Sequence, residues 1–170
     1  MREHDECRSH VEHLIAEHRR IHRMLRLAHH TIIGAQGSEQ DAAPAVVVRV
    51  LQQVREELEH HFAQEEGGGC LHEAVSRCPP LSAEAQRIEA EHPELLQDVD
   101  RLIAQVLDTD QSLQKRIALE LAFDELCRQL DAHEAAENAL LRKGFSITMD
   151  SADSKSVTGD SGERIITSDA

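Results

Sequence analysis

A chain of 170 residues with a formal charge of -14, no Trp, no Tyr and only three Phe is long enough for one domain with a real core, and that core has to be aliphatic. The charge argues against nucleic acid or an anionic membrane as partner, because no Lys/Arg cluster is present to displace phosphate counterions. The charged N-terminus MREHDECRSHVEHL has no apolar leader segment, no run of about 18 apolar residues marks a membrane span, and four scattered cysteines without a CxxC pair do not resemble a secreted disulfide framework. A cytoplasmic protein is the expectation.

Periodicity predicts four helices separated by turn residues. The first runs from about Ser9 to Ile33, with Val11, Leu14, Ile15, His18, Ile21, His22, Leu25 and Ile32 on one stripe, and ends at Gly34 and a GAQGSEQ linker. The second opens near Pro44, a residue tolerated in a first turn. It repeats Val47, Leu51, Val54, Leu58, His61 and Glu65 at steps of 4, 3, 4, 3, 4, an a/d seam. It stops at Gly67, Gly68 and Gly69, and a loop through Cys78, Pro79 and Pro80 follows.

Ser82 is the expected N-cap of the third helix, whose stripe is Ile88, His92, Leu95, Val99, Leu102 or Ile103, and Val106. Pro93 within it predicts a kink or a restarted first turn. The fourth helix begins around Asp110 or Ser112 and reads Leu119, Phe123, Leu126, Leu130, His133, Glu137, Leu140, with Gly144 as its stop. After Phe145 the composition turns to Ser, Asp, Thr and Gly, the signature of a flexible acidic tail. The fold expected is all-α: an up-down-up-down four-helix bundle over residues 1–145 with a tail over 146–170.

The informative positions are those where polar residues interrupt an apolar seam. His61 with Glu65, and His133 with Glu137, each read HxxxE, and an i, i+4 pair shares one helix face. Both pairs should therefore point into the bundle core. An ionised carboxylate buried alone is very costly, so the two pairs need each other or a cation. The first helix adds His18 and His22 and the third adds His92. Imidazole with carboxylate suits Fe, Mn or Zn better than calcium, and two cations bridged by Glu65 and Glu137 balance the charge better than one. The alternative ExxH spacing of other diiron bundles occurs at Glu57 with His60 and at Glu89 with His92. Glu57 and His60 fall off their seam, and the two motifs lie on consecutive helices.

The ordered set H, HxxxE, H, HxxxE, carried by AEHRRI, HHFAQEE, AEHPEL and HEAAENALL, resembles the hemerythrin-like, or HHE cation-binding, domains over roughly residues 9–145. The resemblance implies an up-and-down bundle around a non-haem, oxo- or hydroxo-bridged diiron centre. It implies His18, His61, His92 and His133 as terminal ligands and Glu65 and Glu137 as bridging carboxylates, with Zn or Mn as possible substitutes for Fe. The pattern departs from the oxygen-carrying hemerythrins, whose third helix bears an HxxxH pair. Here Ile88 and Leu96 flank His92 at those spacings. Their second bridging carboxylate also follows HxxxxD rather than HxxxE. His22 could supply a fifth histidine, or it could donate to a ligand from outside the centre.

The function implied is binding or sensing of dioxygen, reactive oxygen species or iron. A helical interaction module with a structural metal, or a diiron enzyme handling peroxide or nitric oxide, are the alternatives. Cys70, His72 and Cys78 between the second and third helices could bind zinc or form a disulfide, although two incidental loop cysteines are the simpler reading. Glu17, Glu91 and Glu134 each adjoin a proposed histidine and could orient one, although solvated surface is the first reading. Glu66, off the seam, reads as exposed or as an orienting partner.

Overall fold

The structure is a computed structural model that describes residues 2–34, 44–108 and 112–145. The GAQGSEQ linker beyond Gly34, the boundary near Asp110 and the acidic tail lie outside them. All of the regular elements are helical: α1 (Arg2–Gly34), α2 (Pro44–Glu66), α3 (Cys70–Arg77), α4 (Ser82–Leu107) and α5 (Leu113–Phe145), with a 3-10 turn over Pro79–Leu81. Among the described residues no helix is long and apolar enough to cross a membrane.

The four long helices are those that periodicity predicts. Each buries its seam: Leu14, Ile21, Leu25, Ala28 and Ile32 from α1, and Val47, Leu51, Val54 and Leu58 from α2. Ile88, Leu95, Val99, Leu102 and Val106 follow from α4, and Phe123, Leu126, Leu130 and Leu140 from α5. Around the bundle α1 packs on α2, α2 on α4, α4 on α5, and α5 back on α1. Ion pairs cross the faces, among them Arg20 to Glu57 at 3.0 Å, Arg55 to Asp100 at 2.7 Å and Lys143 to Glu84 at 2.9 Å.

Several boundaries differ from the expectation. α1 starts at Arg2 rather than Ser9; its first residues are mostly good helix formers, so the helix outruns its apolar stripe. α4 is unbroken through Pro93, so no first turn restarts there; the proline is exposed, and the hydrogen bond its missing N–H forfeits lies toward solvent. Ser82 is not a side-chain cap but the first residue of α4, led in by the 3-10 turn with Leu81 at the boundary. For α5 the expectation holds, since Ser112 directly precedes the helix and its carbonyl accepts from Arg116 N–H at 3.1 Å.

The larger difference is α3, where a loop was expected. The turn before it needs Gly68 at a φ of +96°, a conformation glycine adopts without strain. α3 then buries Cys70, Leu71 and Ala74 and lies against α5. It completes a second apolar cluster of Leu14, Leu81, Ala85, Ile88, Leu140, Leu141 and Phe145, separate from the main core built on Ile21, Leu51, Leu58, Val99 and Leu126. The bundle thus has two apolar compartments.

Gly144 belongs to this packing and is not a helix stop, because α5 continues to Phe145. A Cβ at Gly144 would meet the Ala74 Cβ at 2.5 Å and its Cα at 2.9 Å, so α3 and α5 approach on glycine's bare backbone. Gly144→Ala is expected to destabilise the protein by about 1–3 kcal/mol through overpacking. Gly34→Ala, where nothing lies within 4 Å, should leave the urea midpoint nearly unchanged. Equal midpoints for the two variants would refute the close approach.

Candidate metal centre

Between the two apolar compartments lies a polar layer. The seams of all four long helices reach it in phase and place there His18, His61, Glu65, His92, His133 and Glu137, all at 5% exposure or less. These are six of the seven residues singled out from the sequence. The seventh, His22, stands outside the layer: its side chain is about one-third exposed and its Nε2 lies 2.9 Å from Glu134 Oε2.

The layer divides into two overlapping sets. His18, His61, Glu65 and Glu137 form one, and Glu65, His92, His133 and Glu137 the other; within each, one donor atom per residue lies within 4.8 Å of every other. Each carboxylate divides its oxygens between the sets. Glu65 Oε1 faces His61 Nε2 and Oε2 faces His92 Nε2, both at 3.5 Å. Glu137 Oε2 faces His18 Nε2 at 3.1 Å and Oε1 faces His133 Nε2 at 2.8 Å. His18 and His61 bring their Nε2 atoms to 3.2 Å of each other. Buried imidazoles and carboxylates so arranged could hold a metal ion.

The donor atoms fit that role on their own chemistry. Both oxygens of Glu65 and of Glu137, and the Nε2 atoms of His92 and His133, are buried without a hydrogen-bond partner. The 2.8 Å approach of His133 to Glu137 is therefore an ion-pair distance without hydrogen-bond alignment. Native proteins rarely leave buried polar atoms unpaired, and each such atom costs about 1–3 kcal/mol, more when charged. Six in one layer are hard to explain by packing alone, whereas all six are donor atoms that bound cations could use.

Electrostatics separate the groups. Burial, and then the charge on Glu137, push Glu65 up to about 10, so without a cation it holds its proton at neutral pH. Burial acts the same way on Glu137, but His133 and His18 opposite outweigh it and carry Glu137 below the usual carboxylate range. Burial lowers His61, aided by the nearby His18, and lowers His92, aided by His133. It works against the charged form of His133 too, yet Glu137 and Glu91 together raise that imidazole above its ordinary value.

Carboxylates surround the layer, in contacts between helices that the sequence reading did not place. Each histidine aims Nε2 inward and Nδ1 at a carboxylate on an adjacent helix. Glu17 on α1 accepts from His61 on α2 at 3.3 Å, Glu66 on α2 from His92 on α4 at 2.8 Å, and Glu91 on α4 from His133 on α5 at 2.8 Å. Glu134 on α5 stands 3.8 Å from His18 on α1, closing the circuit. Glu17, Glu91 and Glu134 are not merely solvated surface, as their flanking positions suggest; Glu17, Glu66 and Glu91 select the tautomer that leaves Nε2 free inward, while Glu134 accepts from His22 at 2.9 Å. Phe62 was missed as well. It stacks on His92 with ring centroids 4.0 Å apart and meets His133 edge-on at 5.5 Å, shielding one side of the layer.

Glu91→Ala is expected to weaken metal affinity roughly 10- to 100-fold with unchanged stoichiometry, the usual effect of removing a carboxylate behind a ligating histidine. Competition with a chelator of known affinity measures it. An affinity equal to wild type would show that the contact orients nothing.

The competing arrangements do not assemble. His60 is exposed and bonds Gln64 at 2.7 Å, while Glu57 pairs with Arg20, so that ExxH motif builds no site. Cys70 and Cys78 are both free thiols. Burial, with Glu65 and Glu137 nearby, pushes Cys70 up to about 12, which makes it a poor thiolate ligand. His72 is exposed, and Cys70, His72 and Cys78 do not form one of the donor groups found among the described residues. No protein-family model, no curated protein and no solved structure matches the chain.

Proposed function

We propose that this chain is a hemerythrin-like protein that holds two non-haem iron ions and uses them to bind or sense dioxygen, reactive oxygen species or iron. The observation that carries the reading is the division of oxygens: Glu65 and Glu137 each give one oxygen to one histidine pair and one to the other. A single cation would have no use for two such symmetric sets. An up-down-up-down topology accompanies the reading. It is supported by cross-helix pairs whose numbers rise on one helix as they fall on the next: Glu17 to His61 and Arg20 to Glu57, then Arg55 to Asp100 and Glu66 to His92.

Two histidines and two carboxylate oxygens per ion fit iron's taste for mixed nitrogen and oxygen donors. Four protein donors also leave room for an exogenous ligand, the property that distinguishes a reactive site from a closed structural one. Bound iron would supply the affinity for dioxygen, peroxide or nitric oxide. The chain's own part is to hold the imidazole rings through Glu17, Glu66, Glu91 and Glu134, and to keep water out through Phe62 and the two apolar compartments. With His22 turned to Glu134, no fifth imidazole among the described residues joins the set, so sensing or reaction suits the site better than reversible oxygen carriage.

The test is metal analysis with an absorption spectrum after anaerobic purification. Two irons per chain with near-ultraviolet charge-transfer bands appearing on exposure to air are expected. A colourless protein that takes up neither iron nor another divalent metal would overturn the reading.

A further inference from the structure

At one end of the polar layer a cavity of about 420 Å³ opens between α1, the last turn of α2 and the start of α3. Its volume lies within the range of about 300–1,000 Å³ typical of small-molecule sites. Leu14 and Cys70 give it apolar wall, while His13 and Glu17 lie at its polar side, 3.3 Å apart. Glu17 Oε1 faces this His13, and its Oε2 accepts from His61 of the metal layer. Glu65 borders the cavity too, although its oxygens are shielded from solvent. Glu17, which holds His61, thus reaches this space directly.

Local backbone keeps the space open. Residues 67 to 69 bring only glycine to the cavity wall, and a Cβ at Gly69 would lie 2.5 Å from the Gln64 carbonyl oxygen and 3.0 Å from the Glu65 Cα. A side chain there would force apart the end of α2 that carries Glu65. The tight turn therefore both fixes Glu65 and leaves the cavity unfilled.

We propose that this cavity binds small uncharged molecules carrying a hydrogen-bond donor, and that it is their route to the metal layer; the second half rests on the function proposed above. Glu17 is the accessible acceptor for the donor, and Leu14 and Cys70 receive the apolar part. Anions are turned away, because Glu17 lines the passage in a chain whose net charge is already -14. No bond is made or broken in this step.

The full chain serves for the test. In the metal-free protein, titration with 1-propanol should shift the amide resonances of Gly67, Gly68, Gly69 and Cys70, whereas propionate of the same size should not. Ala63→Trp, at an exposed position on the cavity wall, should remove those shifts, and Ala63→Leu should reduce them in case the larger residue perturbs folding. In the metal-loaded protein, Ala63→Trp should slow the reaction with hydrogen peroxide, which is uncharged and carries two O–H donors, roughly tenfold or more at unchanged metal content. Equal shifts from propionate, or none from propanol, would overturn the binding site. Unchanged peroxide kinetics in a fully loaded Ala63→Trp protein would overturn the route. A chain that takes up no metal yet shows the propanol shifts would support the binding site and overturn the proposed function instead.

Discussion

Glu137→Ala is expected to abolish uptake of both metal ions, not of one. Glu137 belongs to both donor sets, with Oε2 on the His18 side and Oε1 on the His133 side. Its removal leaves each set a single carboxylate oxygen, from Glu65, with less negative charge to hold cations in either. Glu65→Ala should behave the same way. His61→Ala and His92→Ala, by contrast, each touch one set only, and each should leave a protein that still binds one ion. Metal content per chain, read beside the charge-transfer spectrum, separates the cases. One ion retained by Glu137→Ala at wild-type affinity would show that the carboxylates are not shared.

Metal removal is expected to cost stability to a comparable degree. A ligand that binds only the folded state stabilises it by about 2.7 kcal/mol at one hundred times its dissociation constant and about 4.1 at one thousand times. For a chain of this size that corresponds to a melting shift on the order of 10 °C. The pH dependence should differ between the two forms. In the metal-free protein Glu65 titrates at about 10 against 4.5 for an ordinary glutamate, so the fold binds a proton that the unfolded chain has lost. That contribution is full below about 4.5 and declines as pH rises toward 10. The metal-free protein should therefore lose stability through the neutral range. A cation on Glu65 replaces the proton, so uptake releases acid, affinity rises with pH, and the loaded protein lacks the decline. Calorimetry in buffers of different ionisation enthalpy measures the released proton; its absence would contradict a protonated Glu65.

The six residues of the polar layer could be read from sequence because a seam of period 3.5 carries its phase past the last apolar residue. Val54 and Leu58 place His61 and Glu65 in the interior just as Leu126 and Leu130 place His133 and Glu137. The carboxylates around them could not. Glu17, Glu91 and Glu134 adjoin histidines of the seam on the outward side of the helix, and only the neighbouring helix shows that an Nδ1 waits there. Phe62 was hidden by the same narrowness, since an a/d seam names one position where the helix buries two. α3, eight residues long, is too short for periodicity to declare itself between a glycine run and Cys78, Pro79 and Pro80. Gly144 misled because a glycine near the end of a helix reads as a stop, and only the packed Ala74 shows that it serves close approach.

Because every long helix both lends a carboxylate to one neighbour and has its histidine held by another, none can swing outward without breaking two contacts at once. At the α1–α5 joint the contact shifts one turn along: Glu134 stands 3.8 Å from His18 and bonds His22 at 2.9 Å instead. Of the four faces this one is the most sparsely packed, so local opening is expected there first. Backbone amides of α1 around His18 should exchange with deuterated solvent sooner than those of α4 around His92.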